Sequence, residues 1–432
     1  MMKIMEKINL REKTCLVVDN GQFHHVAATL SKEFGKVYYY TRFDNKGFAS
    51  PNEYFPGYGF KEFEHIDDIF IYSDDKNKYS FDRVDLFVFT DLYYGWMQEH
   101  LKKLGKLVFG AAKGERLELD RWGFKSKLKE LGLPVTGTKK ILGLDKLISH
   151  LKMVKNKYVK ISMFRGIIET FHHIDYNLSE PVLTKLDHDL GAIKNEISFI
   201  VEDEIQAESE MGFDGFCISG KFAKNSMFGI EIKDKAFFMK SMDYEELPKQ
   251  IRLINSKFEE TFKELNYNGP YSNEIRVTKS GIPYFSDFTA RFPEPPSSVY
   301  CSMIDNLGEI CFLGAQGIVV EPIFNSKYGA EIIITSDWLG EGNWQSIEFP
   351  KELIEWVKLR YACIIYGKYY CIPQGMTEVG QLVATGETIE EVVGKITKYA
   401  EKVKGYGINI KTDYLQDAIN ECEKTKQFGV NL

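Results

Sequence analysis

Lys160 sits in Lys157–Ile161 (KYVKI), an otherwise apolar run. A lysine in that setting either lies at a solvated strand edge or is aimed at an anion. Arg165 and Gly166 follow closely and supply a second cation and a turn whose backbone amides can approach a phosphate. Glu202, Asp203 and Glu204 end the apolar run Ile197–Val201, and Glu208 and Glu210 come soon after. Such acids are either a solvated strand exit or a strand-end site that accepts hydrogen bonds from an adenine amino group and ribose hydroxyls. Glu274 (in SNEIRV) and Asp287 (in YFSDFTARFPEPPS) fall in two further strand-like runs. Magnesium on a nucleotide takes one or two carboxylates and completes its shell with phosphate oxygens and water, which suits this pair. Arg291, four residues after Asp287, is placed to neutralise a phosphoryl group in transfer. The chemistry these residue types suggest is phosphoryl transfer. It works by positioning and electrostatics and needs no nucleophilic Ser or Cys.

The elements that must carry these residues can be read from periodicity. Thr14–Asp19, Lys36–Thr41, Asp85–Thr90 and Leu107–Gly110 are short apolar runs suited to buried parallel strands, with helices predicted over His24–Phe34 and Tyr94–Leu104. Strand, helix, strand at this spacing predicts βαβ units. Residues 45–80, rich in Asp, Lys, Tyr and Gly, read as a long insertion or a set of loops. Gly114–Leu131 reads as one long amphipathic helix stopped by Gly132 and Pro134, with Arg121 and Lys125 one turn apart on its surface, able to face one ligand. Strands follow at Thr138–Leu142 and Lys157–Ile161, then around 197–202, 213–218, 226–232, 273–278 and 283–288, with a helix over Lys249–Leu265. This middle stretch reads as α+β. A last unit contains strands Glu331–Thr335 and Gly380–Thr385. Its helix opens on a capping box at Thr388 and Glu391 and runs to Lys404. His172, His173 and His188 are candidates for substrate contact beside the surface role such histidines more often have.

Bulk properties narrow the class. A chain of 432 residues is long for one core and implies two or three domains. A net charge of −7 argues against broad nucleic-acid binding, which needs a basic surface, though not against a local basic cleft. The 7 cysteines include no CxxC pair, so a disulfide framework or structural zinc site is not expected and a reducing, cytoplasmic setting fits. The charged N-terminus does not read as a signal peptide, and no apolar run approaches the roughly 18 residues a membrane span needs.

In order along the chain, these pieces resemble the ATP-grasp superfamily, and within it the phosphoribosylamine–glycine ligase family. Gly21-Gln22-Phe23-His24 stands where that family has G-R-E-H, matching at Gly and His. Val84–Val88 is similar to its "vDLvv" strand, and Val108-Phe109-Gly110 to its "vFGP" turn. Arg121 and Lys125 mirror two helical lysines, and Leu131–Pro134 mirrors "GIPT". Tyr158-Val159-Lys160 resembles the strand whose lysine holds ATP phosphates. Val201–Glu204 resembles the linker that binds adenine, with Glu210 or Glu208 as the ribose-binding acid. Asp287-Phe288-Thr289-Ala290-Arg291 resembles E-x-N-x-R, with a shorter acid and a hydroxyl in place of an amide. The segment from Gly380 to Tyr414 is similar to the family's C-terminal "GRVL…yR.DI" stretch.

The resemblance implies a Rossmann-like domain over 1–115, a two-subdomain ATP-grasp fold over 116–325 and a small α/β domain over 326–432. It implies ATP and Mg2+, with Mn2+ as an alternative. The implied ATP contacts are Arg121, Lys125, Lys160, Gly166, Glu202, Asp203, Glu204, Glu208 and Glu210. The implied metal ligands are Glu274, Asp287 and Thr289, and the implied catalytic residue is Arg291. Gly21, His24 and Pro293 are implied substrate contacts. The implied reaction joins a small-molecule carboxylate to an amine through an acyl phosphate, as in purine biosynthesis, in a monomer or homodimer with no membrane or stable nucleic-acid partner. Two departures concern the acceptor. The family's A-Q-D-H-K-R block has no counterpart after Gly220, and its R-x-G-D-P-E becomes Arg291-Phe292-Pro293-Glu294-Pro295-Pro296. The ATP half therefore looks kept and the acceptor half changed. The alternatives are an ATP-grasp ligase that uses another amine, and a nucleotide-binding protein of this fold without turnover.

Overall fold

Thr14–Asp19 is a six-residue strand buried along almost its whole length, as a strand covered on both faces must be. It pairs in parallel with Lys36–Thr41 on one side and Leu86–Phe89 on the other. Glu64–Ile66 and Leu107–Phe109 complete a five-stranded parallel sheet. The helices His24–Leu30 and Gly95–Lys103 connect these strands. Strand order reverses beside Thr14–Asp19, so the carboxyl ends of Thr14–Asp19 and Leu86–Phe89 flank a topological switch point, where α/β sheets open a crevice. The coordinates, a computed structural model, describe residues 8–42, 55–66, 83–162 and 170–429. Most of the expected insertion at 45–80, together with Arg165 and Gly166, lies outside the described residues.

The single helix expected over Gly114–Leu131 is instead three pieces. They are a 3-10 turn at Ala112–Glu115, a short helix at Arg116–Leu119 and a ten-residue helix at Arg121–Glu130. The break is at Asp120, whose side chain accepts from the Gly123 amide at 3.0 Å. Aspartate competes for backbone amides and so favours a cap over a helix interior. Arg121 and Lys125 are buried, not on a surface, because the helix turns this face against the strand Lys157–Ile161. Two other helices end earlier than expected, His24–Leu30 and Ile389–Ala400.

Lys157–Ile161 belongs to a four-stranded antiparallel sheet ordered Thr138–Leu142, Ser198–Asp203, Lys157–Ile161, Thr170–His173. Leu144–Leu151 and Tyr176–Leu190 bury Leu147, Leu151, Leu183 and Leu186 against Val159 and Phe199 of this sheet. The helix Tyr176–Leu190 and the strand Ala236–Asp243 are elements the periodicity did not reveal.

A nine-stranded, largely antiparallel sheet forms the other large body. Its order is Pro283–Thr289, Asn268–Thr278, Ala207–Ile218, Asn225–Ile232, Ala236–Asp243, Tyr328–Ser336, Glu378–Gly386, Val357–Leu359, with Ile408–Ile410 also pairing Tyr328–Ser336. It runs unbroken across residue 326 through the Ala236–Asp243/Tyr328–Ser336 pairing. Lys249–Glu264 packs an aromatic core on it, with Phe258 and Phe262 against Phe285 and Phe288. Thr388 accepts from the Glu391 amide at 3.2 Å, and Glu391 reaches back to the Glu387 amide at 2.8 Å, one residue earlier than a standard capping box. All 7 cysteines are buried and free. Among the described residues no helix is long and apolar enough to cross a membrane.

Two glycines with positive φ separate backbone strain from steric collision. Gly132 (φ +70°) would present a new Cβ to open space, whereas at Gly220 (φ +81°) it would fall 2.3 Å from the Glu259 carbonyl oxygen. Gly132→Ala should cost about 1 kcal/mol from the left-handed conformation alone. Gly220→Ala should cost visibly more. Urea midpoints measured side by side check this, and equal losses would contradict it.

Candidate functional site

Lys160 projects from its strand toward the nine-stranded sheet, with a side chain only 7% exposed. Its ammonium donates to Asp287 Oδ2 at 2.8 Å and to the Ser286 carbonyl at 3.3 Å, and lies 3.6 Å from Glu202 Oε2. Lys125 meets the other oxygen of Glu202 at 2.8 Å. Glu202 thus bridges two buried lysines from different elements. Burial drives both ammonium pKa values down. At Lys160 the charges of Asp287 and Glu202 outweigh it and the net shift is upward, while at Lys125 burial wins and the shift is downward. Arg121 is turned to the backbone, donating to the Ile161 carbonyl at 3.2 Å and to Thr170 Oγ1 at 3.4 Å.

Glu274 and Asp287 are direct cross-strand partners, at a point where the register shifts. Ser286 donates to Glu274 Oε1 at 2.8 Å, and Arg276 lies 3.1 Å from Glu210 and 3.9 Å from Glu274. The Glu274 side chain is half-buried, 37% exposed where it opens on the cleft. Its pKa is pushed up to about 8, first by burial and then by the charges of Glu210 and Asp287. These groups line a cavity of about 230 Å³ together with Lys125, Lys160, Glu202 and Thr289. Asp203 sits at its margin, paired with Lys157.

Arg291 is fixed from the opposite side. Its Nε donates to Glu118 Oε1 at 3.1 Å and lies 3.6 Å from Asp91 Oδ1. The other Glu118 oxygen accepts from the Ala290 amide at 2.6 Å. Glu118 and Asp91 were missed in the sequence. Glu118 sits among leucines in a helical stretch, and Asp91 just past an apolar strand, so neither carries a local signal. Their importance appears only when Arg291, far along the chain, is brought between them. Glu294 is held in turn from the C-terminal region, by Arg360 at 2.8 Å and by Gln381.

Arg291, Glu231 and Glu294 line both the 230 Å³ cavity and a larger cleft of about 680 Å³. The cleft reaches the switch point of the parallel sheet through Asn20, Gln22, Asp91 and Tyr93. That size lies within the usual range for small-molecule sites. Pro293 lines a side pocket of about 90 Å³ with Thr289 and Glu274. Gly21 (φ +106°) lets Tyr361, which lines the cleft, pack against it, since a Cβ there would fall 2.7 Å from the Tyr361 ring.

Other expected residues are not brought to this place. His24 stacks on Phe60 with ring centroids 5.1 Å apart and points Nδ1 at the Leu359 carbonyl, in a separate apolar cavity of about 110 Å³. Glu204 and Glu208 are exposed and line none of these spaces. The three histidines diverge. His172 stacks on Tyr158, His173 is buried against Ser179 at 2.8 Å, and His188 is exposed beside Asp189. Among the described residues no three His, Cys, Asp or Glu side chains converge as a ready-made metal site.

No model of a known protein family matches the sequence, and neither does any curated protein. Solved structures do match. A phosphoribosylamine–glycine ligase from Thermotoga maritima superposes with a TM-score of 0.68 at 16% identity, over 93% of this chain and 99% of that one. The biotin carboxylase domain of the 2-oxoglutarate carboxylase of Hydrogenobacter thermophilus, solved as a dimer with magnesium ADP, ADP and bicarbonate, gives 0.65 at 14% identity over 97% and 99%. An L-amino acid ligase from Bacillus licheniformis gives 0.59 at 14% identity over 92% and 100%. The chain therefore has the fold of the ATP-grasp ligases that its sequence resembles.

Proposed function

We propose that this chain is an ATP-dependent carboxylate–amine ligase that works through an acyl phosphate. The observation that carries this reading is the buried Lys160, set between Glu202 and Asp287 with Glu274 opposite, in a cavity that opens onto a second, larger cleft. In this reading Lys160 and Lys125 face the nucleotide phosphates, with Arg121 behind them. Glu202 and Asp203, with Glu210, lie on the adenosine side. The large cleft takes the substrates to be joined.

The residues fit a divalent cation. Glu274 and Asp287 are opposed carboxylates, and Glu274 is raised first by burial and then by the charges of Glu210 and Asp287. Two carboxylates with phosphate oxygens and water are the usual magnesium set, and the Thr289 hydroxyl lines the same cavity. When bound, the cation neutralises charge on the phosphate oxygens. The chain's own groups do the rest. Glu118 and Asp91 hold the Arg291 guanidinium where the two spaces meet, so its charge faces a phosphoryl group in transfer. A substrate carboxylate oxygen bonds to the γ-phosphorus as the bond to the ADP oxygen breaks. The amine nitrogen then bonds to the acyl carbon, inorganic phosphate leaves, and the nitrogen gives up a proton. The names of two solved neighbours, phosphoribosylamine–glycine ligase and L-amino acid ligase, support this reaction class, and the magnesium ADP in a third supports the nucleotide. We read residues 1–115 and 326–432 as the walls that complete the acceptor side of an ATP-grasp core at 116–325. Thr289, a hydroxyl where an amide oxygen is expected, favours a second reading, a nucleotide-binding protein without turnover.

Release of inorganic phosphate from ATP and Mg2+, measured against a panel of carboxylates with amines, separates the two. A pair that releases phosphate supports the ligase. Normal nucleotide binding with no productive pair supports the second reading. Lys160→Ala should weaken nucleotide binding by at least about 100-fold, roughly 2.8 kcal/mol. Unchanged binding, with an unchanged melting profile, removes Lys160 from the site.

Because burial and the charges of Glu210 and Asp287 raise the Glu274 carboxyl, it gives up a proton near neutral pH when it binds a cation. Mn2+ affinity in the presence of ADP, followed by electron paramagnetic resonance, should rise from pH 6.5 to 8.5 by up to about tenfold per unit. Glu274→Gln should flatten the rise. If the variant keeps the full dependence, Glu274 is not a ligand.

A further inference from the structure

The apolar cavity of about 110 Å³ beside His24 shares a wall with the large cleft. That wall is made of residues 21–25 and 358–361. They are joined where the Tyr361 amide donates to the Gly21 carbonyl at 2.6 Å and Gln22 donates to the Tyr361 hydroxyl at 2.8 Å. Gln22, Arg360 and Tyr361 line the cleft, whereas His24, His25 and Lys358 line the cavity. The apolar end of the cavity is built from rings. Phe349 stacks on Tyr369 with centroids 4.9 Å apart, and Phe60 meets Tyr369 edge-on at 6.2 Å. All three rings are only half-buried, so part of each is left uncovered by the rest of the protein. Lys32 and Glu355, paired at 2.8 Å and 62% and 63% exposed, mark the open end.

Lys358 enters this cavity half-buried from the strand Val357–Leu359. Among the described residues its ammonium has no ion pair and no hydrogen bond. The groups around it explain why. Lys32 repels it and has already taken Glu355. Cys301 on Pro296–Met303 and Glu331 on Tyr328–Ser336 are kept from charging by burial, which raises the thiol to about 12 and the carboxyl well above its usual range. Burial also lowers both His24 and His25, so neither ring is charged at neutral pH. Glu62 is exposed at the rim. Burial first of all therefore lowers the Lys358 ammonium to about 8, as expected of a charge that neither water nor a counter-ion fully satisfies.

A single free cation among apolar walls is selective. An amine would add repulsion, and a neutral ring would leave the ammonium unmatched. A phosphate would bring two charges to one cation between aromatic walls. A cavity of about 150 Å³ can hold benzene. This one is smaller but open at one end, so it takes a ring or a short branched chain whose polar head stays at the opening. We infer that this cavity binds a small monocarboxylate with an apolar, ring-sized body, its carboxylate paired with the Lys358 ammonium and its body against Phe60, Phe349 and Tyr369. The site shares only a wall with the cleft and does not depend on the ligase reading.

The test is a titration of the full chain, without nucleotide, with benzoate, benzamide and benzylamine, followed by ligand-observed NMR. The expected result is saturable benzoate binding at pH 7, at least tenfold tighter than either of the others. Lys358→Met keeps the apolar length and removes the charge. It should lower benzoate affinity tenfold or more and melt no lower than the parent, since it removes a cation without a partner. The pairing needs an ammonium that is lost above about 8, so the parent's benzoate affinity should fall about tenfold between pH 7 and 9 while the variant's stays flat. Absence of saturable benzoate binding overturns the inference, and so does benzamide or benzylamine binding as well as benzoate. Parental affinity in Lys358→Met places the benzoate elsewhere and overturns it too. Should the variant not fold, the pH series on the parent decides alone, and an affinity unchanged from pH 7 to 9 rules the site out.

Discussion

Three charged side chains from three separate elements decide how the rest of the molecule must sit. Lys160 comes from the four-stranded sheet, Asp287 from the edge of the nine-stranded sheet, and Lys125 from the helix between them, with Glu202 joining the two lysines. Lys160, Lys125 and Glu202 are almost fully buried. A buried charge that loses its partner costs several kcal/mol, so the sheets can approach only in the arrangement that keeps these contacts. That is weak as a source of net stability, since two apolar residues of the same volume would serve as well. It is strong as a constraint on geometry. The chain spends desolvation energy to hold cations beside carboxylates at the mouth of a cavity, an arrangement that makes sense if an anion is to enter and take over part of the pairing.

The same logic repeats one layer out. Arg291 follows the metal-type strand directly, yet its position is set by Asp91 from the parallel sheet and by Glu118 from the short helix that precedes Asp120. Glu294 follows Arg291 and is set by Arg360 and Gln381 from the C-terminal strands. A single stretch, Asp287 to Glu294, therefore touches all the other regions through ion pairs. The break at Asp120 belongs to this scheme. A continuous helix through 114–131 would leave no reason for Glu118 to turn inward to the Ala290 amide while Arg121 and Lys125 face the strand. The capped break lets the two short helices take different headings.

How much of this could be read from the sequence depended on whether a feature was local. The parallel strands were legible because a doubly covered strand is apolar along its whole length, and Lys36–Thr41 and Lys157–Ile161 appear with the bounds expected. Lys160, Asp287 and Glu274 stood out because charges interrupt such runs. Ala236–Asp243 was lost because AFFMKSMD turns polar at its end and follows a tight turn, so the run looked like a tail of the strand before it. Tyr176–Leu190 was lost because Pro181 and scattered charges blur its period. The surface placement of Arg121 and Lys125 was wrong because spacing gives the face of a helix but not what covers that face. His24 matched a motif letter, yet its ring is packed among Tyr39, Phe60 and Phe63 and so lies outside the cleft.

The two halves of the site differ in kind, and this explains why one was readable and the other was not. The side proposed for the nucleotide is built from side chains at defined register positions on paired strands, such as Glu274 opposite Asp287 and Tyr158 opposite Glu202. Register is hard to alter, because a slip of one residue turns every side chain to the other face. The larger cleft is built from strand ends and connections, with Asn20 and Asp91 at the switch point, Asp234 in the turn between two strands, and Arg360, Tyr361 and Glu378 around a hairpin. Such positions accept new residues without disturbing a sheet. A fold of this kind can keep register-bound side chains fixed while the residues of the neighbouring cleft vary.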